Sequence, residues 1–431
     1  MDRKEEALKL LDANWTGRFT KPSPNLYPHQ WNWDAGFIAL GNAQHDLSRV
    51  ITEYRSLFAG QWSNGLLPHI VFGPPTGHYF PEQDFWQSDR STFSPKNVQT
   101  SGITQPPVHG FILKRIYDKH SEDSDFIAFL KEIFPKLVKL HEYYYRDRNP
   151  LRNGLITIRH PWESGTDNSP IWDEALSAMQ IDKDALPDFK RKDLQNPKAA
   201  GHRPTHEDYD RYVYLVDLFR RLDYDEEKIN EQCPFQIVDP LFNAILTWSN
   251  EAIITLGDIL QMDYGELIYW NEQTIYSMNE LLWDEQAGIY HAWDAVESKK
   301  IEVHTHSGLM PMIGGIPDVD QVEQMIRRMT GPNFKNDETY YLPSYNLSQS
   351  DIDHEKYWRG PIWISTNWLI IQGLNRYGFD ELADEVFQDT IELIHQFGFY
   401  EYFDPRRNVR NNGYGTNQFS WSASLYLDML N

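Results

Sequence analysis

Apolar residues recur at helical spacing in ten stretches of the chain, at 37–57, 108–117, 126–145, 212–222, 241–259, 268–282, 322–329, 362–377, 382–397 and 419–429. Strand-like alternation is short and sparse. Gly, Pro and Asn-Gly turns such as Asn64-Gly65 separate the helical stretches, as in a succession of helical hairpins. No short repeat marks a solenoid. The pattern predicts an all-α chain, a closed ring of paired helices with long loops at one end, folded as one domain over 1–431. The stretch 182–207 is charged, proline-bearing and weakly periodic, and reads as an exposed loop or lid.

Composition narrows the class. The 431 residues include 15 Trp and 24 Tyr, an aromatic excess that suits either sugar binding or the packing of a large helical core. The formal charge of −23 argues against nucleic acid or an anionic membrane as partner. The single Cys233 excludes an intramolecular disulfide. The first residues read as an amphipathic helix without the apolar core of a signal peptide, and no apolar run is long enough to span a bilayer, so a cytoplasmic location is expected. The spacings His304-x-His306 and His202-x3-His206 lack accompanying Cys. No catalytic metal is expected.

Two acidic neighbourhoods stand out, Pro161-Trp162-Glu163-Ser164-Gly165-Thr166-Asp167-Asn168-Ser169-Pro170 and Gly398-Phe399-Tyr400-Glu401-Tyr402-Phe403-Asp404-Pro405. Glycosidic cleavage needs one protonated acid for the leaving oxygen and one ionised carboxylate on the other side of the anomeric carbon. Glu163, Asp167, Asp173, Glu401 and Asp404 all compete for those roles, although Asp404 before Pro405 also fits an Asx-type turn. In Tyr27-Pro28-His29-Gln30-Trp31-Asn32-Trp33-Asp34, Trp31 or Trp33 would stack on a sugar while Asp34 accepts from hydroxyls or caps the next helix. His69 reads more readily as a core histidine than as a catalytic one, Tyr79 could close one side of a pocket, and Gln105 before Pro106-Pro107 offers both a donor and an acceptor. Tyr357 and Trp358 precede a Gly-Pro helix start and face the loop side. Arg359 holds a carboxylate or braces the loop.

Taken together, Gln30-Trp31-x-Trp33-Asp34, Gln105-Pro106-Pro107, the segments 164–170, 357–363 and 400–405, and Phe419-Ser420-Trp421-Ser422-Ala423 resemble glycoside hydrolase family 63, in order, from Tyr27 to about Tyr426. The resemblance implies an (α/α)6 barrel, an inverting mechanism on α-glycosides and no organic cofactor. It makes Asp167 the general acid and Glu401 the general base, two carboxyl groups about 6.5–9.5 Å apart with a water between them. Trp162 and Pro170 would shelter Asp167, and Tyr400, Tyr402 and Asn411 or Asn412 would keep Glu401 ionised. Tyr27, Gln30, Trp31, Trp33, Asp34, Tyr79, Gln105, Gly165, Tyr357 and Trp358 are the candidate sugar-binding residues. The compact family members act on mannosylglycerate and glucosylglycerate, so the expected partner is a small glycoside carrying a carboxylate. Arg211 is matched to its cation, in competition with a surface salt bridge, and Gln418 is a weaker candidate for the same subsite. Other readings remain open at this point: an α-glucosidase acting on a di- or oligosaccharide, a sugar epimerase of the same barrel class using His304, His306 and His354, and a non-catalytic sugar-binding module.

Overall fold

The computed structural model describes residues 2–24, 26–195, 201–410 and 412–431. Fifteen α-helices are found among the described residues: α1 Arg3–Asn14, α2 Asn32–Ala43, α3 Leu47–Phe58, α4 Gln83–Trp86, α5 His109–Lys119, α6 Ser124–Asp147, α7 Asp173–Ala178, α8 His206–Arg221, α9 Glu226–Gln232, α10 Pro240–Leu260, α11 Leu267–Leu281, α12 Val319–Thr330, α13 Ile364–Arg376, α14 Asp380–Phe397 and α15 Ser420–Met429. A 3₁₀ helix spans His306–Gly314.

Burial sorts these elements into two layers. Every residue of α2 and all but the last of α15 are buried, as expected of helices enclosed on all sides. By contrast α3 hides a single stripe, with Val50, Tyr54, Leu57 and Phe58 at i, i+4, i+7 and i+8. Six elements of the enclosed layer pack in sequence, α2 against α5, α5 against α10, α10 against the 3₁₀ helix, that helix against α13, α13 against α15, and α15 back against α2. The outer helices lean on them: α1 on α15 and α2, α3 on α2, α6 on α5 and α10, α11 on α10, α12 on the 3₁₀ helix, and α14 on α13 and α15. Asp428 near the end of α15 ties this arrangement together. Its buried carboxylate accepts from Arg115 at 2.9 Å and Lys119 at 3.1 Å on α5 and from the Trp368 indole at 3.0 Å on α13.

Among the described residues, ten strands of two to five residues accompany the helices. β1 Gln30–Trp31 pairs antiparallel with β2 Ile70–Val71, and β3 Thr157–Ile158, β4 Ile237–Val238, β7 Ala292–Asp294 and β8 Lys299–Ile301 form one antiparallel sheet. β5 Trp283–Asp284 pairs with β6 Ile289–Tyr290, and β9 Tyr400–Phe403 with β10 Gly413–Asn417. Strands β1 and β10 lead almost directly into α2 and α15, and loops at the same helix starts carry Gln105 ahead of α5 and Trp363 as the N-cap of α13. The N-terminal ends of these enclosed helices therefore converge on one region.

Two expectations change. The stretch 37–57 is two helices, because Asp46 turns the chain and caps α3 through the Ser48 amide at 3.0 Å. The enclosed 3₁₀ helix was invisible to periodicity, since Gly308, Pro311 and Gly314 interrupt the pattern. No described helix is long and apolar enough to cross a membrane.

Replacing Asp428 by Ala strands the buried Trp368 N–H and two cations, and is expected to lower unfolding free energy by about 2 kcal/mol in a denaturant titration.

Candidate active site

The segment carrying Asp167 is held from several sides. The 3₁₀ turn Pro161–Glu163 ends at Ser164, whose hydroxyl accepts from the Thr166 amide at 2.9 Å. Gly165 has φ +75°, and a Cβ there would lie 2.5 Å from the Trp33 ring, so only glycine lets the indole close on this turn. The Trp172 indole donates to the Thr166 carbonyl at 2.9 Å, and the Tyr212 hydroxyl to the Asp167 carbonyl at 2.9 Å. Asn168 accepts from the Trp358 amide at 2.9 Å. The Asp167 carboxyl itself is half-buried. Burial, opposed by Arg203 and aided by Glu401, pushes its pKa up to about 7.

Glu401 is buried at 1% exposure. Its carboxylate accepts from the Tyr27 hydroxyl at 2.7 Å, the Thr416 amide at 3.1 Å and Arg203 at 3.4 Å. Arg203 also donates to the Tyr27 hydroxyl at 3.1 Å and lies 4.6 Å over the Tyr357 ring. Burial alone would weaken the hold of this guanidinium on its proton, but the oxygens of Tyr27 and Glu401 outweigh it and keep the group charged. Asp34, in the first turn of α2, is a third buried carboxyl. Burial, then Glu401, raises its pKa well above the usual range.

These groups line two adjoining chambers. The inner one is walled by Tyr27, Trp31, Trp33, Asp34, Gln105, Gly165, Asp167, Tyr357, Trp358, Trp363, Glu401, Phe419 and Trp421. Tyr27, Trp31, Gln105, Asp167 and Tyr357 continue into the outer one, which adds His69, Tyr79, Trp162, Lys192, Arg203 and Tyr209. One chamber thus holds three acids under aromatic walls, and the other holds Arg203 and Lys192 together with Asp167 and Asp193. Gln105 is fixed by accepting from the Trp33 amide at 3.2 Å. The Trp421 indole N–H is buried without a protein partner.

Nine of the twelve residues expected to contact substrate, and both expected catalytic carboxyls, meet here. Three residues are not brought to either chamber. Gln30 is buried and donates to the Glu53 carbonyl at 2.9 Å. Arg211 is turned away, donating to the Leu176 carbonyl at 2.6 Å and the Glu207 carbonyl at 3.1 Å. Gln418 is exposed, with its carbonyl accepting from Asn14 at 3.0 Å. The cations at the chambers are Arg203 and Lys192, within the stretch read as an exposed lid. Its described residues are exposed only in part, and Arg191 and Arg203 are each 7% exposed.

The rival acids have other work. Glu163 is fully buried in a bidentate pair with Arg148 and also accepts from the Arg159 amide at 2.6 Å and the Thr104 amide at 3.2 Å. Burial alone would raise its pKa, yet Arg148 and these amides hold it below the usual carboxylate range. Asp173 pairs with Arg359 at 2.7 Å. Asp404 accepts from the Arg406 amide at 2.9 Å and its guanidinium at 2.6 Å, the Asx-type turn across Pro405. His304, His306 and His354 line neither chamber. His306 instead stacks on Trp358 and bonds the Ser344 carbonyl at 2.9 Å. Asn412 donates to the Asp404 and Arg406 carbonyls, and Asn411 lies outside the described residues.

Comparison with known proteins gives this arrangement its relatives. Residues 27–422 match the model of the mannosylglycerate hydrolase MGH1-like glycoside hydrolase domain. The chain belongs to this glycoside hydrolase family. A mannosylglycerate hydrolase of Thermus thermophilus is 40% identical over 98% of this chain and 99% of its own. A glucosylglycerate hydrolase of Mycolicibacterium hassiacum is 32% identical over 98% of this chain and 96% of its own. A crystal structure of a family 63 mannosylglycerate hydrolase from Thermus thermophilus with Tris and D-glycerate superposes with a TM-score of 0.91 at 39% identity, covering 99% of this chain and all of that one. Membership makes the chain a glycoside hydrolase and agrees with the family 63 motifs.

Carboxyl ¹³C spectra across pH should show Asp167 titrating near 7. Because Arg203 favours its charged form, Arg203→Leu is expected to move that midpoint upward.

Proposed function

We propose that the chain is an inverting α-glycoside hydrolase that frees mannose or glucose from 2-O-α-mannosylglycerate or 2-O-α-glucosylglycerate. The supporting observation is the division of the cavity: Asp167 and Glu401 share an aromatic-walled inner chamber, while Arg203 and Lys192 stand at the outer one. In this reading the hexose fills the inner chamber and its faces stack on the indole walls. The glycerate carboxylate lies in the outer chamber, where the planar fork of Arg203 suits it.

Asp167 is protonated below about pH 7 and gives that proton to the leaving glycerate oxygen. Glu401 takes a proton from the water that attacks the anomeric carbon from the opposite face, which inverts the configuration. Asp34 and Gln105 hold hexose hydroxyls. The cycle of packing contacts through α2, α5, α10, the 3₁₀ helix, α13 and α15 supports an (α/α)6 barrel with a single catalytic domain, the described parts of 182–207 being its lid or a loop insertion. The lone Cys233 fits a cytoplasmic location. The histidines named for the epimerase reading, His304, His306 and His354, line neither chamber.

Proton NMR of the first sugar released from each glycoside tests this directly. The β-anomer should appear before mutarotation; a first-formed α-anomer refutes inversion, and cleavage of an α-linked glucose disaccharide in place of both glycerates refutes the aglycone. Asp167→Asn and Glu401→Gln should each lower kcat by about 10²–10⁴-fold. The alkaline limb of kcat/KM should fall through about pH 7 as Asp167 loses its proton. Arg203→Leu should raise KM for glycerate-bearing substrates more than for uncharged glycosides.

A further inference from the structure

The hairpin that carries Glu401 is irregular at one point. Tyr402 pairs with Tyr414, and Tyr400 pairs with Asn417. Between those pairs β9 has one residue, Glu401, whereas β10 has two, Gly415 and Thr416. The bulge therefore lies directly opposite Glu401. Bulges of this kind re-aim a side chain and often begin with a glycine in the left-handed region.

Both bulge residues act on one carboxylate oxygen. Gly415 has φ +74°, and a Cβ at this position would collide with Oε2 of Glu401 and lie 2.8 Å from the Glu401 Cβ and 2.7 Å from the Tyr402 ring. Only a bare Cα lets the strand lie against the carboxylate. The Thr416 N–H then donates to the same Oε2 at 3.1 Å. Arg203 also approaches Oε2, at 3.4 Å, while Oε1 accepts from the Tyr27 hydroxyl at 2.7 Å.

We infer that the Gly415–Thr416 bulge is the positioning device of the general base, pinning Oε2 of Glu401 so that Oε1 is the oxygen that receives the proton of the attacking water. The inference rests on the reading of Glu401 as base. In that step the water oxygen bonds to the anomeric carbon and its proton passes to Oε1. The anomeric bond to the leaving oxygen breaks with its electron pair, and that oxygen takes the proton of Asp167. When a substrate carboxylate draws Arg203 outward, Oε2 loses that partner, but the Thr416 N–H is main chain and stays. Gly415 is thus a positioning residue that never touches substrate.

The test compares Gly415→Ala with Gly378→Ala. Gly378 has φ +76° and nothing within 4 Å of its would-be Cβ, so it carries the same backbone strain with no collision. Gly415→Ala is expected to lower kcat by about a hundredfold with little change in KM, while Gly378→Ala keeps the wild-type kcat. Gly415→Ala with wild-type kcat, or with a loss no greater than that of Gly378→Ala, overturns the inference. A measurement on otherwise unaltered strands covers the case in which Gly415→Ala folds poorly. With ¹⁵N-threonine labelling, the Thr416 amide resonance should move in Glu401→Gln, and a resonance that does not move also overturns it. An inert Glu401→Gln beside a fully active Gly415→Ala removes the bulge's role alone, whereas an active Glu401→Gln removes the reading of Glu401 as base together with it.

Discussion

Three buried or half-buried carboxyls, Asp34, Asp167 and Glu401, share an aromatic chamber, and the guanidinium of Arg203 reaches Glu401 from the adjoining one. Like charges in a low-dielectric space cannot all remain ionised, and the environment sorts them. Arg203, Tyr27 and the Thr416 amide all donate to Glu401. Asp34 and Asp167 receive no comparable set, and both are driven toward the neutral form. Donors thus converge on one of three chemically similar side chains.

The helical framework makes that convergence possible. The enclosed helices present their N-terminal ends to one region, and the segments that carry chemistry are short loops and strands just before those ends. Glu401 comes from a strand pair, Asp167 from the turn between the 3₁₀ helices Pro161–Glu163 and Pro170–Trp172, and Arg203 from the run leading into the Thr205 cap of α8. Tyr27 and Glu401, 374 positions apart, meet there. Aromatic packing stiffens the floor. Trp358 and Trp363 stack at 3.8 Å between centroids, and Trp363 continues onto Tyr402 beside Glu401.

Much of this was legible in the sequence, and the failures have physical causes. Helical periodicity located the long helices because one face of each must be apolar, and aromatic-acid motifs at helix starts located most of the chamber. Arg203 was missed because a buried cation within a charged, proline-bearing stretch looks like any exposed one until its partners arrive from Tyr27 and Glu401. The expectation for Arg211 failed through helix geometry. The Thr205–Asp208 capping box starts α8, so Tyr209 and Tyr212 fall on the face toward the site, while Arg211, two residues from Tyr209, projects from the opposite side. Gln30 carried the right motif and the wrong direction, since alternate residues of a strand point to opposite faces.

Glu163 has a consequence for how this protein can change over generations. Its one carboxylate receives the amide of Thr104, beside Gln105, the amide of Arg159, ahead of the acid-bearing turn, and the fork of Arg148 at the end of α6. Two walls of the cavity therefore share an anchor, and their substitutions are not independent in energy. A chimaera that imports residues 104–105 from one relative and 159–167 from another inherits a mismatch wherever their backbones differ by a fraction of an ångström. These segments are expected to be inherited together, as one heritable block with Arg148.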